Sequence, residues 1–170
     1  MTKGMSDRHT PTPSQTIGPF FGFALPFPGD ADAGASPETG LRINGQVIDG
    51  AGAPVPDAIL EIWHGDVFAR CATDASGRYR VTIAKPPPTR GPSGTTLAPH
   101  LDVSVFARGL LRHLATRIYF PDEEEANAVD AMLALVDPAR RPTLVARRDG
   151  SGLRFDIRLQ GTAETVFFAL

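Results

Sequence analysis

From residue 41 onward the apolar side chains of this sequence recur at every second position. Leu41, Ile43 and Val47 alternate with Arg42, Asn44 and Gln46, and Tyr79, Val81 and Ile83 alternate with Arg78, Arg80 and Thr82. Leu101, Val103 and Val105 alternate with Asp102 and Ser104, and Leu153, Phe155, Ile157 and Leu159 with Arg154, Asp156, Arg158 and Gln160. Successive side chains of a strand point to opposite faces, so each segment places one face on a core and the other in solvent or an interface. Further strands are expected at 58–63, 113–120, 143–147 and 164–169. Turn signals such as Asp49-Gly50-Ala51-Gly52 and Asp74-Ala75-Ser76-Gly77 separate the strands. About eight short strands at this spacing predict an all-β fold, an antiparallel β-sandwich.

One segment departs from the two-residue period. After Pro121, the run DEEEANAVDAMLALV sets Ala126, Val129, Met132, Leu133 and Val136 on one helical face. One short helix is therefore expected near 122–137, ended by Pro138. Asp122 to Glu125 stand where a helix N-terminus favours negative charge, so the acidic run reads as complementation of the helix dipole rather than as a metal site. Residues 1–15 are polar and proline-punctuated, an extended N-terminal arm, and 26–40 form a turn-rich loop. The apolar stretch TIGPFFGFAL between them must pack on its own core or on a partner.

At 170 residues the chain is sized for one domain and needs neither disulfides nor a structural metal to hold a core. Its single cysteine, Cys71, cannot form an internal disulfide; it reads as a small buried apolar group and leans the chain toward a reducing compartment. A net charge of −2 gives no bulk attraction to nucleic acid or an anionic membrane. With no long apolar window and no signal-peptide pattern at the N-terminus, a cytoplasmic location is expected. Zinc-protease, serine-hydrolase and phosphate-loop signatures are absent. Among the four histidines, His64 and His113 read as rim residues, whereas His100 opens a strand directly after the long loop KPPPTRGPSGTTLAP.

Five ordered segments carry a resemblance. TPSQTIGPFF at 12–21, INGQVIDGAGAPVPDAILEIWHGD at 43–66, APHLDVSVFARG at 98–109, HLATRIYFPDEEEANA at 113–128 and RFDIRLQGTAETVFF at 154–168 resemble the intradiol ring-cleavage dioxygenases. The resemblance implies a non-haem Fe(III) held by two tyrosinates and a His-x-His pair, hard phenolate oxygens suiting ferric iron. Here the His-x-His position reads His100-Leu101-Asp102. One tyrosine is expected in a long excursion between Trp63 and Thr73, and the other just beyond Lys85-Pro86. This chain has only the short stretch His64–Ala72 in the first place and Pro87-Pro88-Thr89 in the second. Its two tyrosines, Tyr79 and Tyr119, fall at core positions of strands. No metal site is expected, His100 and Asp102 being a degenerate remnant of one.

In the two-chain members of that family, the resemblance implies that a homologous β subunit supplies the iron and the iron-free α subunit supplies part of the substrate pocket at their interface. The expected reaction is O2-dependent intradiol cleavage of protocatechuate (3,4-dihydroxybenzoate) to 3-carboxy-cis,cis-muconate, within the β-ketoadipate pathway. The matching pocket positions are Thr16, Gly18, Pro19 and Arg108. Residues 1–40 are then an arm and loop contributing to the subunit interface, and 41–170 the dioxygenase-like sandwich. The shortened 64–72 connection and the Pro-rich 86–92 loop depart from the family pattern. A different class, a non-catalytic prealbumin-like binding module, shares the G-x-V-x-D-x-x-G-x-P-V stretch.

Overall fold

The computed structural model describes residues 13, 15–18, 20–33, 35, 40–91 and 94–169. Its first sheet is built around β1 (Leu41–Ile48). On one side β1 pairs antiparallel with β4 (Arg78–Ile83); on the other it pairs parallel with β10 (Gly152–Arg154) and β11 (Ile157–Arg158). Strand β9 (Arg147–Asp149) lies antiparallel beyond β10. The second sheet is antiparallel throughout, in the order β3 (Val67–Ala72), β2 (Ile59–His64), β7 (His100–Phe106), β8 (Leu114–Tyr119). Two residues each form β5 (Thr89–Arg90) and β6 (Thr96–Leu97), a small ribbon within the 86–97 loop.

The core is the one that the alternation marks. Ile43, Val47, Val81, Ile83, Leu153, Phe155 and Ile157 from the first sheet meet Leu60, Ile62, Leu101, Val103, Val105 and Ile118 from the second, all buried. The exposed partners, Arg42, Arg78, Arg80, Asp102 and Arg154 among them, lie on the outer faces. The antiparallel sandwich is therefore as expected, except that β10 and β11 join β1 in parallel.

Strand β3 is absent from the sequence expectation. Its inward residues, Ala69 and Cys71, are small and carry little strand signal, yet both are buried. A two-residue turn, Gly65-Asp66, closes the β2–β3 hairpin, with Gly65 at φ +55°. Glycine at the first central position is what a type II′ turn requires. Across the hairpin Arg70 donates to Glu61 Oε1 from Nε at 3.1 Å and Nη2 at 2.7 Å, and from Nη1 to the Leu25 carbonyl at 2.8 Å. That contact ties the short helix α1 (Phe21–Ala24) and its following loop to the sandwich. The same loop runs along the open edge of β4, where Thr82 donates its N–H to Ala31 and Ala33 donates back to Thr82. The edge is thereby covered.

Three expectations are corrected. Residues 141–144 of the region before β9 form a 3₁₀ turn containing Pro142, and the strand begins only at Arg147. Residues 164–169 form no strand: they meet the second sheet at a single bridge, Phe168 to Ala115. The helical region is divided into α2 (Glu124–Ala128) and α3 (Ala131–Ala134). Val129 is 79% exposed, off the expected shared face, while Asp130 beside it is fully buried. Asp130 takes an extended backbone and its Oδ1 accepts the N–H groups of Met132 and Leu133 at 2.9 Å, capping α3 and breaking the run. Of the acidic run, Glu124 and Glu125 do occupy the first turn of α2, whereas Asp122 and Glu123 accept from Lys85 Nζ at 2.8 and 2.5 Å. No helix among the described residues is long and apolar enough to cross a membrane.

Candidate functional site

His100 and Asp102 project from the same face of β7, as alternate residues must. The His100 ring is buried, and its Nδ1–H donates to the Ala98 carbonyl at 2.7 Å. Nε2 is left 3.9 Å from Asp102 Oδ1. Asp102 is not free: directly across the sheet on β8, Arg117 donates from Nε to the same oxygen at 2.8 Å. Tyr119 and His64 flank the imidazole, at centroid distances of 5.7 and 6.4 Å. Burial holds His100 below the usual imidazole value; the Arg117 charge acts in the same direction, against the hydrogen bond to Ala98.

This donor set does not fit a ferric centre. It offers one imidazole nitrogen and one carboxylate already in an ion pair, and the Arg117 guanidinium places a permanent positive charge where a trivalent cation has to sit. The phenols are no help. Tyr119 donates its hydroxyl to Asp130 Oδ1 at 3.1 Å, and burial pushes it up to about 12. Tyr79 belongs to the other sheet, where its hydroxyl donates to the Phe155 carbonyl at 2.6 Å and burial holds it well above the ordinary phenol value. Among the described residues no three His, Cys, Asp or Glu side chains are grouped to hold a metal ion. The stretch in which a tyrosine is expected after Trp63 is the tight β2–β3 hairpin, and Pro87-Pro88-Thr89 leads into β5.

Of the positions expected to line a pocket, Thr16 and Arg108 lie around the other end of β7. Arg108 follows the strand, just before Gly109, whose φ of +85° only glycine accepts readily. Its guanidinium is ion-paired with the Asp57 carboxylate and stays largely exposed. Together with Phe21, Phe23, Ile59 and Thr73 the pair lines a cleft of about 330 Å³. Thr16 reaches the same corner, its Oγ accepting the Gly109 N–H at 3.3 Å. The Gly18 carbonyl accepts the N–H of Phe21 at 3.3 Å, opening α1. A Cβ built on Gly18 meets nothing within 4 Å, so nothing in its own chain demands glycine there. Pro19 lies outside the described residues. The structure thus brings Thr16 and Arg108 to one corner and keeps His100 and Asp102 apart from them.

Two partners escape sequence reasoning. Asp57 sits in the turn Val55-Pro56-Asp57-Ala58 and shows no sign of pairing with a residue so far along the chain. Arg117 meets Asp102 only because β7 and β8 pair in this register. Cys71 is buried as expected, and burial pushes its thiol up to about 12, which leaves it inert. His113 stacks on Phe106 at 5.4 Å, a rim position.

No protein-family model matches the chain. It is 39% identical to the protocatechuate 3,4-dioxygenase alpha chain of Pseudomonas putida, over 92% of this chain and 95% of the relative. Identity to the corresponding chain of Burkholderia cepacia is 40%, over 92% and 96%. The protocatechuate 3,4-dioxygenase beta chain of Burkholderia cepacia is more distant, at 27% over 74% of this chain and 66% of that one. The alignment with the Pseudomonas putida chain runs over 191 positions, more than the 170 residues present here, so segments of that relative have no counterpart in this chain. Among solved structures, hydroxyquinol 1,2-dioxygenase from Pseudomonas putida DLL-E4 superposes with a TM-score of 0.62 at 18% identity, over 89% of this chain and 68% of that one. Catechol 1,2-dioxygenase from Pseudomonas arvilla C-1 gives 0.56 at 24%, over 75% of this chain and only 54% of its own length. At those identities the structures speak for the fold alone, and the fold is the sandwich of the intradiol dioxygenases. Within that class the chain belongs to the family of protocatechuate 3,4-dioxygenase alpha chains.

Proposed function

We propose that this chain is the iron-free α subunit of a protocatechuate 3,4-dioxygenase. With a homologous β subunit that holds the Fe(III), it takes part in cleaving protocatechuate with O2 to 3-carboxy-cis,cis-muconate. The carbon–carbon bond between the two hydroxyl-bearing carbons breaks and both atoms of O2 enter the product, so the reaction balances without a further reductant. The observation that carries this reading is end-to-end similarity to alpha chains in a chain whose own ligand position is occupied by an Arg117–Asp102 ion pair. The same reading makes it a cytoplasmic enzyme of aromatic catabolism through β-ketoadipate.

The role of this chain is to shape the pocket and its interface. Residues 1–40 are the interface arm, and Phe20 and Phe23, 74% and 85% exposed, give it apolar area for a partner to cover. Thr16, Gly18 and Pro19 approach the substrate from that arm, with Gly18 offering room for close contact. Arg108 presents a planar fork of donors that matches the substrate carboxylate, and Asp57 holds the guanidinium at the mouth of the cleft until substrate arrives.

In the assembled αβ enzyme, Arg108→Ala is expected to raise KM for protocatechuate about 10- to 100-fold, the range of one charge-assisted hydrogen-bonded pair. Iron content stays unchanged, because no iron ligand is touched, and Arg108→Lys recovers part of the loss. Steady-state kinetics with metal analysis is the check. Unaltered kinetics in Arg108→Ala removes the residue from the pocket. A chain that forms no complex with a dioxygenase β subunit contradicts the subunit reading itself.

A further inference from the structure

Asp57 and Arg108 are the one acid and the one cation among the described residues that line the cleft of about 330 Å³; the rest of the wall is apolar apart from Thr73. The two are held unequally. The Asp57 side chain is 27% exposed and that of Arg108 67%. Asp57 stands in a turn pinned by Thr73, whose Oγ donates to the Val55 carbonyl at 2.8 Å and accepts the Ala58 N–H at 3.0 Å. The Thr73 N–H donates to the Ala58 carbonyl at 2.9 Å, and Pro56 fixes the backbone angle just before the acid. The Arg108 guanidinium has no such support. Its one hydrogen-bond partner among the described residues is Asp57 Oδ2, and the Asp57 carboxylate accepts from nothing else there.

The contact takes Nε alone. A guanidinium can meet a carboxylate along two edges, the Nε–Nη side and the Nη1–Nη2 end, each with a parallel pair of donors. With Nε engaged the side is occupied and the end stays open, since neither Nη donates to any described residue. We infer that Asp57 is a positioning residue for carboxylate recognition: it fixes Arg108 through Nε so that the Nη1–Nη2 end is aimed at the carboxylate of an aromatic acid, favouring carboxylated over bare catechols. The inference rests on the pocket role proposed for Arg108 and names the residue that sets its aim. An arginine already fixed loses little side-chain freedom when the ligand binds, whereas a loose one must be ordered at that moment. An acid that merely competes with the ligand for the guanidinium has the opposite effect on affinity, so the sign of the change separates the two roles.

Steady-state kinetics of the assembled αβ enzyme tests this. Asp57→Ala is expected to raise KM for protocatechuate about 3- to 10-fold, the range for one long side chain that must be ordered on binding, with kcat held within about twofold. Asp57→Asn keeps an oxygen for Nε and recovers most of the loss. Inhibition by catechol, which has no carboxylate, is unmoved in both variants. In an Arg108→Ala background Asp57→Ala adds nothing, because the two side chains act as one unit; a residue that only stabilises its turn raises KM there as well. A KM unchanged or lower in Asp57→Ala, an asparagine no better than alanine, a parallel loss of catechol inhibition, or the same rise in the Arg108→Ala background overturns the inference. If Arg108→Ala raises KM and Asp57→Ala does not, the inference fails and the pocket reading stands; if neither does, both fail.

Discussion

Gly45→Ala is expected to destabilise the protein by about 3–5 kcal/mol, combining overpacking with the loss of a buried hydrogen bond. Gly45 lies directly opposite Tyr79 in the β1–β4 pair. A Cβ there meets the Phe155 carbonyl oxygen at 1.9 Å and the Tyr79 ring at 2.6 Å. The missing side chain is what lets the Tyr79 ring cross β1 and place its hydroxyl on Phe155, at the junction between β10 and β11. An added methyl must expel the ring or part the strands. For a chain of this size the melting temperature is expected to fall by about 10–15 °C. Tyr79→Phe, which keeps the ring and loses only the hydrogen bond, is expected to cost about 1–3 kcal/mol. A Gly45→Ala protein melting within two or three degrees of the wild type, in a thermal or denaturant titration, contradicts this packing.

The second large effect is expected at Asp130. Its carboxylate is fully buried and accepts four hydrogen bonds. They come from Ala98 N–H at 2.8 Å, Met132 and Leu133 N–H at 2.9 Å, and the Tyr119 hydroxyl at 3.1 Å. One side chain thus joins α3 to the loop entering β7 and to β8, and Ala98 is the residue whose carbonyl accepts from His100. Asp130→Ala removes a helix cap and leaves buried donors unpaired, a loss of about 3–4 kcal/mol. Asp130→Asn keeps an acceptor for the cap and is expected to fall between the alanine variant and the wild type. Denaturant unfolding with near-ultraviolet circular dichroism, which reports the packing around Tyr119, is the check. An alanine variant as stable as the wild type means that water or another group replaces the carboxylate.

These two residues mark the boundary of what the sequence discloses. The period-two segments at Leu41–Ile48, Arg78–Ile83 and His100–Phe106 are strands with the expected inward faces, because burying one face decides the register of a sheet. The same logic does not detect β3, whose inward side chains are alanine and cysteine. It also credits 164–169 with a strand, although one bridge to Ala115 is all that forms. Asp130 reads as one more polar residue on a helix, since a side chain that caps a second helix and a side chain facing solvent look alike in a linear pattern. At the ligand position, the substitution of Asp102 and the missing tyrosines are legible by motif. What stands against Asp102, the Arg117 guanidinium, depends on cross-strand register and is visible only in the fold. Arg108 is likewise singled out by motif, whereas its ion-pair partner Asp57 carries no such signal.

The iron content of the assembled αβ enzyme tests the central claim most directly. If the ferric site belongs to the β subunit and this chain lends only pocket and interface, metal analysis finds one iron per αβ pair. The visible tyrosinate-to-Fe(III) band then follows that single iron, and His100→Ala in this chain changes neither. Two irons per pair, or iron lost with the His100 side chain, contradicts the account.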